Sequence, residues 1–236
     1  LKKAIMNELL TKGIDHTEFK DSELGRIPKS WSTKTLKNLS ENGKPVLRTG
    51  PFGTSLKSKD FIDSGIPVIN IQNLGEGQLI NENMFFISKQ KGIELSNYKV
   101  SEGDLVFSRV ADVGRSVVIP EYASGWIISS NLMRISIDKN KLDPQFLMYQ
   151  LVHGPHIQGQ MRQVVLDAGR QVITGPVVSK LKFLLPPLTE QKNIVQKVDS
   201  LFKNILTKTT KVEHLGKLKK SLMQDLLKGK VRVSVN

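Results

Sequence analysis

From Ile194 onward the apolar positions recur in alternating steps of four and three. They fall at Ile194, Val198, Leu201, Ile205, Lys208, Val212, Leu215, Lys219, Leu222 and Leu226, and eight of these ten are apolar. So narrow a stripe is a coiled-coil seam, not the broad face of a helix lying on a globular core. Pro186-Pro187 ends whatever precedes it, Thr189 is placed to cap a helix, and Glu190 suits the positive end of the helix dipole. No proline interrupts the stretch that follows; Gly216 is a weak point and Gly229 a natural stop. The pattern predicts a helix from Glu190 to Lys228, about 58 Å long at ~1.5 Å per residue. A rod of that length cannot be covered by one small domain, so its seam calls for a partner helix. The two ends of the chain are also related: residues 1–10 and 218–227 are identical at six of ten positions and conservative at the rest. Such repetition marks equivalent pieces of one architecture, so the chain reads as one unit of a tandem array that begins with the tail of a preceding unit's helix.

Between these ends the periodicity shortens. Residues 66–71, 105–110, 115–119, 126–128 and 132–137 are β-branched or aromatic runs bounded by turn residues and read as strands. Asp143-Pro144 is an N-cap followed by proline at the first helical position and opens a helix running to about Val152. The expected class is α+β: an N-terminal helix and connector at 1–23, a globular domain of short strands and helices at 24–188, and a long C-terminal coiled-coil helix at 189–236. Trp31 and Phe52 are expected in the core.

Composition narrows the function. A chain of 236 residues buries enough surface to fold without disulfides or a structural metal. The absence of cysteine removes disulfide scaffolds, Cys-type zinc sites, iron–sulfur sites and Cys nucleophiles, and fits a reducing cytoplasm. Charged residues at 24% and hydrophobic ones at 39% exclude wholesale disorder. No apolar run has the length of a membrane helix, and Asn7-Glu8 interrupts the opening segment before it could serve as a signal peptide. Against this ordinary background the charge stands out: 35 Lys+Arg face 22 Asp+Glu, a net +13. Residues 189–236 alone carry 11 basic and 4 acidic side chains. A basic surface of this size points to a polyanion, with nucleic acid foremost.

Chemistry of a self-sufficient enzyme is not expected. Gly50-Pro51-Phe52-Gly53-Thr54-Ser55 lacks the Gly-Lys-Ser/Thr core of a phosphate loop. His16, His153, His156 and His214 lack ligand spacing, and Gly154-Pro155 breaks any helical face shared by His153 and His156. Asp15-His16-Thr17-Glu18-Phe19-Lys20 reads as a solvated connector rather than a metal-nuclease trace. No Asn-Pro-Pro or Asp-Pro-Pro followed by an aromatic residue, the loop of adenine methylation, is present. Neither a cofactor nor a metal is implied.

Five stretches occur in a telling order: Gly25-Arg26-Ile27-Pro28-Lys29-Ser30-Trp31, Thr49-Gly50-Pro51-Phe52-Gly53-Thr54-Ser55-Leu56, Gly65-Ile66-Pro67-Val68-Ile69, Gly103-Asp104-Leu105-Val106-Phe107-Ser108-Arg109, and Leu184-Leu185-Pro186-Pro187-Leu188-Thr189-Glu190-Gln191. Together they resemble the specificity subunit of type I restriction–modification systems over about residues 24–200. The resemblance implies a target recognition domain followed by a spacer helix. Two such units lie in tandem, their helices forming an antiparallel coiled coil, and each domain reads half of a split double-stranded DNA target. It implies a non-catalytic cytoplasmic subunit that docks type I methyltransferase subunits, with a type I restriction (nuclease/translocase) subunit joining the complex. This chain departs from the pattern by carrying a single recognition domain. The resemblance therefore implies a half-subunit or a truncation that pairs as a homodimer through Ile194, Val198, Leu201, Ile205, Val212, Leu215, Leu222 and Leu226. The N-terminal helix is expected to cover part of the long helix's end.

DNA recognition needs cations for phosphates and matched donors and acceptors for bases. Arg48, Lys57 and Lys59 flank the Gly-rich turns and are candidates for phosphate. Gln72 and Asn73 offer amides suited to adenine, and Arg109 and Arg115 bracket a loop where they could address guanine or phosphate. Gln163, Arg170 and Gln171 are expected in a second polar loop. Because family members read different targets, residues outside the shared motifs, here Gln163, Arg170 and Gln171, are the better candidates for base choice. The rival reading is a helical protein-interaction adaptor without nucleic-acid binding, whose basic end meets an acidic protein.

Overall fold

The computed structural model describes residues 2–39, 47–75, 77–109, 115–168 and 174–228. The chain divides into two compact units, Leu1–Ile194 and Val195–Asn236. In chain order the first contains α1 (Lys2–Thr11), β1 (Phe19–Ser22), β2 (Gly25–Pro28), β3 (Ser32–Thr35), β4 (Leu47–Thr49), β5 (Phe61–Ile62), β6 (Ile66–Ile69) and β7 (Phe85–Ile87). There follow α2 (Lys89–Glu94), β8 (Leu105–Ser108), β9 (Ser116–Val118), β10 (Ile127–Ile128), β11 (Leu132–Ile135), α3 (Pro144–His153), α4 (Pro155–Ala168), α5 (Gly175–Lys180) and β12 (Lys182–Leu185). Helix α6 (Leu188–Leu227) begins in this unit and supplies most of the second.

Two four-stranded sheets form the centre, ordered β10-β6-β7-β5 and β4-β11-β8-β9. All their pairings are antiparallel except β10 with β6. Ile69 and Ile128 from the first sheet meet Val106, Val117 and Leu132 from the second in one buried cluster with Leu74, Val100, Ile119 and Ala123. Of these, Ile69, Val106, Val117, Ile119, Ile128 and Leu132 are β-branched or leucine positions of the runs that the sequence marks as strands, and their burial drives the packing. The short turn between β10 and β11 carries the chain from one sheet to the other. It demands a close approach: a Cβ on Gly50 would stand 1.9 Å from the Ser129 carbonyl oxygen, so only glycine fits there.

Strand β12 pairs with β3. Two glutamine side chains bond its backbone as a further strand would. Gln150 accepts from Leu184 N at 3.1 Å and donates to Leu184 O at 2.7 Å, and Gln160 does the same for Lys182 at 3.0 and 2.9 Å. Both glutamines come from helices, so α3 and α4 are stitched to the sheet edge by otherwise unsatisfied backbone groups.

Helix α3 forms as its sequence predicts, with the Asp143 carboxylate accepting from Gln145 N and Phe146 N and proline following it. Gly154-Pro155 breaks the helical face as expected, leaving His153 on α3 and His156 on α4: Gly154 ends α3 and Pro155 opens α4 at once, because proline suits a first helical turn. Helix α1 seats Met6 and Leu10, both buried, and packs against α3.

Helix α6 is unbroken over 40 residues, about 60 Å at ~1.5 Å per residue, with Gly216 inside it. It starts at Leu188, so Thr189 lies within the first turn rather than capping it. Gly229 lies outside the described residues. The first turn is anchored in the head. Glu190 accepts from Trp31 Nε1 at 2.9 Å and pairs with His16 Nε2 at 2.7 Å, while Gln191 accepts from Asp143 N at 2.8 Å and donates to Pro186 O at 2.9 Å. Trp31 is core, as expected. His16 is half-buried on this carboxylate, a departure from the reading of its segment as a solvated connector, which Asp15, Thr17, Glu18 and Lys20, all exposed, otherwise follow.

Candidate nucleic-acid interface

Strand directions bring several candidate residues to one end of the paired sheets. Strand β4 leaves at Thr49, β8 leaves at Ser108 and β11 enters at Leu132. Gly50 N donates to Leu132 O at 2.9 Å, Arg109 N to Asn131 O at 3.1 Å, and Ser129 N to Ile69 O at 2.9 Å. The loop after Gly50, the ends of the connection between Arg109 and Arg115, the turn at 129–131 and the turn after β6 therefore issue side by side. They carry Arg109, Arg115 and Gln72, with exposed Asn131 among them, whereas Lys57 precedes β5, whose start is level with the start of β6 rather than with its end. Residues 110–114 lie outside the described residues.

Lys57 and Lys59 are exposed at a single helical turn whose start is held by Lys57 N donating to Asp60 Oδ2 at 2.7 Å. Arg115 is exposed, and Arg109 is half-buried with its Nε enclosed and unpartnered. Gln72 is exposed, though its Nε2 donates to Asn83 O at 2.8 Å. Asn73 is placed differently. It is 0% exposed, and its amide is spent on backbone: Nδ2 donates to Ile80 O and Glu82 O, both at 3.0 Å, and Oδ1 accepts from Asn70 N at 2.9 Å. A side chain so enclosed and satisfied has nothing left to offer a base; it pins the turn that presents Gln72. Replacing Asn73 with alanine should cost about 1–3 kcal/mol by orphaning those groups. Chemical denaturation checks this, and nucleic-acid affinity per folded molecule should not change.

Gln163 is exposed on α4 rather than in a loop, a correction that follows from the helix opening at Pro155. Arg170 and Gln171 lie outside the described residues. Phe52, expected in the core, is 70% exposed on the Gly-rich loop. Pro51 and Gly53 on either side favour a turn over a packed strand, so the aromatic ring is carried to the surface.

Arg48 is half-buried on β4, directly opposite Arg134 of β11. Arg134 was not marked by the sequence reading; its only signal is a single charge within the apolar run Leu132-Met133-Arg134-Ile135. It donates to Lys99 O and lies 3.8 Å from Asp104 Oδ2. Burial pushes its guanidinium below the ordinary value, Asp104 opposes that, and the nearby Arg48 charge adds to it.

Along α6 the seam residues separate into two groups. Ile194 and Val198 are fully enclosed within the chain and so are unavailable to a partner helix, and Leu201 is half-buried. Ile205, Val212, Leu215, Leu222 and Leu226 are 37–69% exposed. Among the described residues no helix is long and apolar enough to cross a membrane, and no three His, Asp or Glu side chains group as metal ligands.

Residues 18–215 match the family described as the Type I restriction modification DNA specificity domain. Among curated proteins, the type I restriction enzyme MjaVIII specificity subunit of Methanocaldococcus jannaschii is 27% identical over 237 residues, covering 98% of this chain and 54% of that protein. The putative MjaX specificity subunit of the same organism is 29% identical over 213 residues, covering 88% of this chain and 48% of that protein. Among solved structures, the HsdS subunit from Thermoanaerobacter tengcongensis superposes with a TM-score of 0.62 at 16% identity, over 98% of this chain and 50% of that one. A chain from a study of complex assembly in the type I R-M system superposes with a TM-score of 0.65 at 18% identity, over 93% and 48%. At these identities the structures speak to the fold. The chain spans about half the length of the curated relatives it matches.

Proposed function

The chain belongs to the type I restriction modification DNA specificity family, and from that premise we propose that it reads one half of a split DNA sequence on behalf of partner chains that carry out the chemistry. The observation that carries this reading is the family match itself, which extends from residue 18 through the head and along the long helix to residue 215. The same reading proposes a recognition domain at 24–188 and a spacer helix at 189–236.

In this reading the loops around Gly50, Arg109, Arg115 and Gln72 face the duplex. Lys57 and Lys59 neutralise phosphates and set the register, while Gln163, Arg170 and Gln171 choose bases. The exposed stripe from Ile205 to Leu226 pairs with the same stripe of a second copy, so two heads read a two-fold symmetric, interrupted target. The subunit is non-catalytic. It acts in the cytoplasm, and methyltransferase subunits, joined by a restriction subunit, supply the reaction.

Equilibrium binding of the full chain to a labelled duplex between 50 and 200 mM salt tests the proposal. The logarithm of affinity should fall linearly with the logarithm of salt concentration, by about 0.9 per phosphate neutralised. Lys57→Ala and Lys59→Ala should each flatten that line by about one phosphate equivalent and weaken all sequences alike. Tight association with single-stranded RNA and none with duplex would overturn the reading in favour of another role for the basic surface.

A further inference from the structure

The register of β4 with β11 sets Arg48 directly across from Arg134. Residues so paired in an antiparallel ladder project from the same face with Cβ atoms about 5 Å apart, and like charges there are destabilising. Both arginines are half-buried, the Arg134 side chain only 15% exposed, and the Nε of each is enclosed without a hydrogen-bond partner. The carboxylate beside Arg134 belongs to Asp104, which is itself 9% exposed and already accepts from Ser101 N at 2.7 Å through the same Oδ2. One carboxylate, paired with Arg134, does not balance two guanidiniums in a partly dry site.

Among the described residues, the buried side-chain atoms left without a partner are Nε of Arg48, Arg109 and Arg134 and Oγ of Ser116 and Ser129. Every one of them can donate a hydrogen bond, and three must. Buried donors without acceptors are costly, and each asks for a cause. At Arg48 and Arg134, paired across the ladder, excess positive charge and two unpartnered donors point to the same missing complement, an acceptor bearing negative charge.

We infer that Arg48 and Arg134 form a seat for a phosphate-class oxyanion. Arg134, held by Lys99 O and Asp104, is the fixed arm; Arg48, on edge strand β4, is the arm that meets the ligand. Planar guanidinium forks match two oxygens of such an anion at once, and the anion relieves the repulsion between them. The oxyanion can come from a DNA phosphodiester or from free phosphate. The first source rests on the proposed DNA reading; the seat itself does not.

The test uses the full chain and inorganic sulfate or phosphate as the probe, with chloride at matched ionic strength as reference. The parent chain should melt roughly 3–6 °C higher with the anion at ten times its Kd. Arg48→Gln should lose that rise while melting no lower than the parent in chloride, because it removes a like charge. A structural ion pair would behave oppositely. Arg48→Lys keeps the charge but not the fork and should show a smaller rise; it decides the matter if Arg48→Gln does not fold. The duplex salt titration then identifies the source. A line flattened by about one in Arg48→Gln assigns a phosphodiester, and an unchanged line assigns free phosphate. A rise that Arg48→Gln abolishes, in a chain that binds no duplex, keeps the seat and removes the DNA reading. No rise in the parent, or an equal rise in parent and variants, overturns the seat.

Discussion

Aspartate at both Leu215 and Leu222 is expected to abolish the proposed dimer and leave the chain monomeric, with the head still folded. Each of these leucines is 51% exposed on α6, so neither substitution removes packing from the core of the first unit. In a two-fold pair each position occurs twice. Burying a leucine is worth about 1.5–3 kcal/mol, and placing a carboxylate in the same seam adds a desolvation penalty. Dimer affinity should therefore fall by at least about three orders of magnitude, at ~1.4 kcal/mol per tenfold. Sedimentation equilibrium reads the result directly; an unchanged molar mass removes pairing through this seam.

The second large effect is expected at Glu190. One carboxylate takes Trp31 Nε1 at 2.9 Å and His16 Nε2 at 2.7 Å, with Ile14 N at 3.4 Å, and so ties the connector and a fully buried tryptophan to the first turn of α6. Glu190→Ala strands those donors in a largely dry site and removes a negative charge from the positive end of the helix. Lost charge-assisted bonds and unsatisfied donors together cost about 3 kcal/mol. For a chain of this size that is roughly 6–12 °C in melting temperature. Glu190→Gln keeps an oxygen for Trp31 and should lose clearly less. Equal melting of parent and Glu190→Ala would mean that the tryptophan is held by packing alone.

How much of this was visible in the amino acids differs by scale. The long helix was legible because its apolar positions repeat with period 3.5 over many turns and proline is absent, signals that need no distant partner. The strands at 66–69, 105–108, 116–118, 127–128 and 132–135 were legible from β-branched runs. What escaped was non-local. Nothing near Gln150 or Gln160 announces that their amides will serve strand β12, because their partners lie 34 and 22 residues away and the need arises only once an edge exists. Asn73 looked like a base reader because it is an amide after a strand, yet tertiary structure spends that amide on backbone carbonyls. Phe52 looked like core on hydrophobicity alone; its Pro and Gly neighbours outweigh that preference. The facing of Arg48 and Arg134 depends on register, which two separate stretches of three and four residues do not encode visibly. Ile194 and Val198 followed the seam's period perfectly but are fully buried within the chain, which the period alone does not reveal.

The most direct test of target choice by this chain is to express it with a type I methyltransferase subunit and map the methylated positions in genomic DNA. Methylation should appear at one interrupted, two-fold symmetric sequence that vanishes without the chain and changes when Gln163, Arg170 and Gln171 are replaced together. Methylation at the same sites with and without the chain, or at none, would contradict a role in sequence recognition.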